Sequence, residues 1–223
     1  MTENYKILKT DKLPNTGILR QTVIFFGREQ YFDFYSIRAA LVWPTPETPA
    51  YFIIGGEETW DERFYNPASG RGVVRIIKEC EHDDLALDRL FDRLTDDVSL
   101  NLADTIYVDV RHEDYTGAFH DYLDRTRLRN IYVQSAPYED FTMRVGIVKD
   151  YDQAGELSID KGSPLYAELQ GISRADLVDS PELRFYRLNA LSYLLSGFKK
   201  YKPIHRSPQA GMGRNISKDS WMM

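Results

Sequence analysis

The run Thr105-Ile-Tyr-Val-Asp-Val110, followed by Ala118-Phe119 with Tyr122-Leu123 and then by Asn130-Ile-Tyr-Val-Gln134, decides the architecture. Both outer runs are short, rich in β-branched and aromatic residues and bounded by polar segments, the composition of strands with buried faces. Between them the apolar residues recur three and four apart, as on one face of a helix. A strand, a helix and a strand within about 30 residues form a crossover that joins parallel strands with a right-handed turn.

Upstream, Thr22-Val-Ile-Phe-Phe-Gly27 reads as a first strand and Arg28-Glu29-Gln30 as a polar turn. Tyr35-Ser-Ile-Arg-Ala-Ala-Leu-Val-Trp43 is a second strand and Ala50-Tyr-Phe-Ile-Ile54 a third. Pro44, Pro46 and Pro49 between them cannot donate to a ladder, so that stretch is a turn and the two strands pair as a hairpin. Residues 57–72 read as loop, and periodicity leaves Val73–Ile77 open between strand and helix. Leu87, Leu90, Phe91 and Leu94 recur at helical spacing, which predicts an amphipathic helix over 83–94.

Downstream, residues 139–150 are expected to be helical and Gly155–Ile159 briefly extended. Ser163-Pro164 starts a further helix, with Ser as the cap and Pro at the first helical position. A last helix is expected from Glu182 to Phe198. The whole is a mixed five-stranded α/β sheet flanked by helices, antiparallel in front and parallel behind. Its boundaries are a polar lead-in arm over 1–20, one domain over 21–200 and a flexible basic tail over 201–223, which includes Lys202, His205 and Arg206.

Composition narrows the function classes. The 223 residues carry a net charge of −6, which argues against strong autonomous binding to duplex DNA, because phosphate neutralisation supplies most of that affinity. No apolar run approaches the roughly 20 residues of a membrane span. The single cysteine, Cys80, cannot form an internal disulfide, so a reducing compartment is expected. There is no CxxC pair or HExxH, and the four histidines are dispersed, which argues against a structural zinc site. The 15 tyrosines and 11 phenylalanines are expected in the core rather than as base-stacking platforms. Asp83-Asp84, Asp88, Asp92 and Asp96-Asp97 read as a solvated face, and His112-Glu113-Asp114 as polar surface.

Three patterns carry a family resemblance: Phe26-Gly27 with Asp33-Phe-Tyr-Ser-Ile37, Ile106-Tyr-Val-Asp109 with Gly117, and the ending that runs from Met143-Arg144 through Gly155–Ile159 and Leu165-Tyr-Ala-Glu-Leu169 to Asn189-Ala-Leu-Ser-Tyr193. In order and spacing, over residues 20–200, they resemble the RNase H-like nuclease domain of phage terminase large subunits. No GxxxxGK[ST] loop of a packaging ATPase is present. The resemblance implies a viral protein of the host cytoplasm that acts in DNA packaging, with duplex DNA, a packaging ATPase and a portal protein as partners. It also implies endonucleolytic cleavage through two divalent cations, Mg²⁺ or Mn²⁺. Such hard ions need converging oxygen ligands.

In the resembled family those ligands come from the first strand, the central strand and the final helix. Asp109 matches the central-strand acid and is the implied metal ligand. The first-strand acid falls on Gly27, with Glu29 as a substitute if the strand runs on, and Asp33 matches the turn-proximal acid. The final-helix acid falls on Asn189, with Arg184, Phe185 and Tyr186 where further acids are expected. The implied catalytic set is therefore Asp109, Glu29 and Asp33, in a site short of carboxylates. Two outcomes stay open, a nuclease with a degenerate centre and a catalytically inactive scaffold or adaptor in the packaging motor.

Overall fold

The computed structural model describes residues 5–12, 19–25, 28–58, 73–83, 86–100, 103–109, 111–128, 130–136, 140–173, 176–177 and 181–198. Gly27, residues 59–72 of the stretch expected as loop and residues 201–223 expected as a tail lie outside them. The strands are β1 (Tyr5–Lys12), β2 (Leu19–Phe25), β3 (Arg28–Val42), β4 (Ala50–Glu58), β5 (Val74–His82), β6 (Thr105–Val108), β7 (Tyr132–Ser135) and β8 (Leu157–Ser158). The helices are α1 (Leu87–Leu100), α2 (Glu113–Thr126), α3 (Phe141–Gln153), α4 (Pro164–Gly171), α5 (Pro181–Arg184) and α6 (Tyr186–Ser196).

The five expected strands all belong to one mixed sheet, as β2, β3, β4, β6 and β7: β3 is antiparallel to β2 and β4, and β6 and β7 run parallel to β3 and to each other. Three further strands extend it. β1 pairs antiparallel with β2, β5 antiparallel with β4, and β8 lies parallel to β5. The segment expected as a polar arm thus contributes β1. Arg28-Glu29-Gln30, expected as a turn, opens β3 instead. β3 serves two partners in succession: Arg28–Phe34 pairs with β2, and Ala39–Leu41 pairs with β6.

The sequence of β3 explains its central place. A strand covered on both faces reads as a near-continuous apolar run, and Ile37, Ala39, Ala40 and Leu41 are all buried, as is Trp43 just beyond the strand's end. Side chains alternate between faces. Ala39, Leu41 and Trp43 join Leu90, Phe91, Leu94 and Phe119 of α1 and α2 in one core layer. Ala40 and Val42 join the layer made by α3, α4 and α6 on the other face. β6 follows the same alternation, with Ile106 and Val108 towards α1 and α2 and Tyr107 towards α6. Each Leu or Phe so buried contributes about 1.5–3 kcal/mol relative to exposure.

α6 is buried at every position from Leu188 to Leu195, as a helix in the middle of a layer must be. Two glycines permit its depth. A Cβ on Gly55 would stand 2.7 Å from Leu194 Cδ2, and one on Gly197 would stand 2.3 Å from the Tyr107 ring. The expected single helix 182–198 is divided: Phe185, at φ −114° and ψ 50°, separates α5 from α6. Among the described residues no helix is long and apolar enough to cross a membrane.

Candidate functional site

Asp109 follows the last residue of β6 and points to the α6 face, one step on from Tyr107. Its side chain is only 11% exposed, so burial has to be offset by partners. Arg111 supplies most of them. Its Nε lies 2.9 Å from both carboxylate oxygens, its Nη2 pairs with Oδ2, and its backbone N–H donates to Oδ1 at 2.9 Å. The Tyr193 hydroxyl, from α6, donates to Oδ2 at 3.0 Å. Burial pushes the Asp109 carboxyl up, but the hydrogen bonds and charge of Arg111, with the Tyr193 hydroxyl, outweigh it and hold the group below the usual carboxylate range. Burial, opposed by the Arg144 charge and reinforced by the Asp109 carboxylate, pushes the Tyr193 hydroxyl up. Tyr193 therefore stays protonated and acts as a donor.

A second arginine completes the centre. Arg144 lies in α3 and is 3% exposed, an unusual burial for a charged residue. Its Nη1 donates to Asn189 Oδ1 and, at 3.1 Å, to Ser192 Oγ. Its guanidinium sits 4.9 Å from the Tyr193 ring centroid and 5.4 Å from that of Phe141. Its Nη2 lies 4.0 Å from Glu182 Oε1. Asp109, Arg111, Glu182 and Asn189 line one cavity of about 310 Å³ together with Val42 and His112.

The structure thus brings together Asp109 and Asn189, which the sequence placed on the central strand and the final helix. It does not bring Glu29 or Asp33 to them. The β3–β6 register, Leu41 opposite Val108, puts Val42 beside Asp109 when carried one residue on. Glu29 lies thirteen residues earlier on β3 and is exposed, about 40 Å away along the strand. Asp33 lies nine residues earlier, about 30 Å away along the strand, where the β2–β3 register sets its backbone opposite that of Arg20. The physical reason is the length of β3: the half that carries these acids pairs with β2, and only its other half lies against β6. The strand position beside Asp109 is therefore aliphatic.

The expected pair of Mg²⁺ or Mn²⁺ ions does not fit this donor set. Both Asp109 oxygens and the Asn189 amide oxygen already accept from cationic side chains or Tyr193. Among the described residues, Arg111 and Arg144 offset the charges of Asp109 and Glu182 and leave little negative charge for two divalent cations. Sequence reasoning missed Arg111, Arg144 and Tyr193 as the groups that define the centre. The signals were present: an Asp-x-Arg at a strand end, and an arginine on the apolar side of α3 among Phe141, Val145 and Val148.

No protein-family model matches the sequence, and neither does any curated protein. Solved structures do. A large terminase from a thermophilic bacteriophage aligns over 73% of this chain with a TM-score of 0.52 and 14% identity. The large-terminase nuclease domain of bacteriophage SPP1, solved with bound Mn, aligns over 72% of this chain and 85% of its own length, with a TM-score of 0.42 and 18% identity. The yeast mitochondrial Holliday junction resolvase aligns over 73% and 81%, with a TM-score of 0.39 and 11% identity. The chain spans 39% of the length of the first of these. At such identities the likeness is one of fold, and the chain has the RNase H-like fold that large-terminase nuclease domains carry.

Proposed function

We propose that this chain is a non-cleaving RNase H-like module of viral DNA packaging, a scaffold or adaptor of the packaging motor in the host cytoplasm. The observation that carries the reading is the pair of arginines: Arg111 forks onto Asp109, and Arg144 holds Asn189. Where a nuclease of this fold would gather carboxylates around cations, this chain supplies its own fixed positive charge. The pocket then works as a rigid joint between β6, α3 and α6, and the surface around it is free to serve partners. The net charge of −6 favours a protein partner, a packaging ATPase or portal, over unaided binding to duplex DNA.

A plasmid-nicking assay with Mg²⁺ or Mn²⁺ at protein excess tests this. The proposal expects no nicking above the metal-only control and no difference between the native chain and Asp109→Ala. Metal-dependent nicking that disappears in Asp109→Ala would restore the endonuclease reading.

A further inference from the structure

On the opposite face of the sheet, Cys80 and His82 alternate along β5 and so project to the same side, where α1 presents Asp97. Their ligand atoms all lie within 4.8 Å of one another. Cys80 Sγ is 3.5 Å from His82 Nε2 and 3.5 Å from Asp97 Oδ2. A tetrahedral zinc ion with Zn–S of about 2.3 Å and Zn–N or Zn–O of about 2.0–2.1 Å sets ligand edges of about 3.6 Å. The two measured edges match that value without any backbone movement. The third corner, between His82 and Asp97, lies within reach of a rotamer adjustment.

The surroundings also suit a cation. Asp97 is 13% exposed and gives its other oxygen, Oδ1, to Lys78, which fixes the carboxylate while Oδ2 faces the thiol. A divalent ion with one thiolate and one carboxylate is neutral as a unit, so Lys78 meets no net repulsion. The cross-strand row Cys80–Phe52–Leu41–Val108 puts three strand spacings, about 14 Å, between this cluster and the end of β6. It also lies on the α1 and α2 face, whereas Asp109 faces α6.

We propose that Cys80, His82 and Asp97 form a binding site for a zinc-class divalent cation, with the fourth tetrahedral position left to water. Thiolate and imidazole select borderline-soft ions over Mg²⁺. Binding breaks the Cys80 S–H bond, forms a metal–sulfur bond and releases the proton to solvent, with no change of oxidation state. The site clamps α1 to β5, an attachment that covers one flank of the layer around Leu90, Phe91 and Leu94.

Cobalt(II), the spectroscopic surrogate of zinc, provides the test on the full chain. One equivalent of Co²⁺ is expected to give a thiolate-to-metal charge-transfer band and tetrahedral d–d absorption. Both are expected to vanish in Cys80→Ser and to weaken at least tenfold in apparent affinity in His82→Ala. Because Cys80 is the only cysteine, alkylation of the native chain gives a second readout that needs no variant: equimolar Zn²⁺ is expected to slow it at least tenfold. Absence of the charge-transfer band, or alkylation unchanged by Zn²⁺, overturns the site and leaves a hydrogen-bonded cluster. Neither result bears on nicking, which tests the Asp109 centre alone.

Discussion

Asp109→Asn separates a carboxylate held as a structural anion from one kept in reserve for metal, because the two predict opposite signs of stability change. Acids gathered for cations repel one another when no cation is present, so removing one is neutral or stabilising, a common stability–function trade-off. Here Asp109 instead accepts from a guanidinium, a backbone N–H and a tyrosine hydroxyl. Arg111 is 48% exposed, so its ion pair contributes only about 0.5–1 kcal/mol. The Tyr193 hydroxyl is buried and bonds a charged acceptor, which contributes about 1.5 kcal/mol. Asparagine keeps one acceptor oxygen but turns an NH₂ towards Arg111 or Tyr193, so the net loss is about 2 kcal/mol at pH 7. For a chain of this size that lowers Tm by about 4–8 °C. The folded pKa of Asp109 lies below its unfolded value, so this stability is present above the unfolded pKa and is lost as pH falls through the folded one. Urea titrations of both proteins at pH 7 and at successively lower pH should therefore show a gap that is full at neutrality and closes in acid. An Asp109→Asn protein as stable as the native chain at pH 7, or more stable, would refute the assignment of Asp109 to a structural ion pair.

Two further substitutions probe the same layer. Arg144→Ala deprives Asn189 and Ser192 of their buried donor and opens a void beneath the Tyr193 ring, so thermal denaturation should report a loss of about 3–4 kcal/mol; a loss below about 1 kcal/mol would mean that the buried guanidinium holds nothing. Gly197→Ala sits at φ −74°, which any residue tolerates, so its only penalty is the 2.3 Å approach to the Tyr107 ring. It should destabilise by about 1–3 kcal/mol, and an alanine variant as stable as the native chain would show that α6 does not lie as close to β6 as described.

Much of the fold was legible because local chemistry and burial pointed the same way. The crossover appears as β6, α2 and β7, and the hairpin of 35–43 with 50–54 as the pairing of β3 with β4. Ser163 caps α4 by accepting from the Tyr166 N–H at 3.1 Å, as the Ser-Pro pair implied. The ambiguous stretch from Val73 is β5, whose first residues are buried on both faces and so carry no alternation to read. The candidate site was half legible. Asp109, just after β6, and Asn189, in the first turn of α6, line one cavity because both elements carry strong apolar patterns. The first-strand position was misplaced because apolar patterning marks β2 and β3 as strands without saying which lies against β6. A strand as long as β3, with one edge divided between two partners, conceals that choice. Arg144 was hidden differently: a buried cation looks like surface until its partners are known. Cys80 and His82 share β5, but Asp97 lies on α1, and only the packing of α1 on β5 brings it to them.

Arg111, Arg144 and Tyr193 take up the oxygens of Asp109 and Asn189 that a cation would need. A crystal structure grown in high Mn²⁺, with anomalous scattering collected at the manganese edge, tests it most directly. No manganese is expected on Asp109, with Arg111 still forked across the carboxylate and Tyr193 still donating to it. Manganese coordinated by Asp109, with Arg111 swung into solvent, would contradict it.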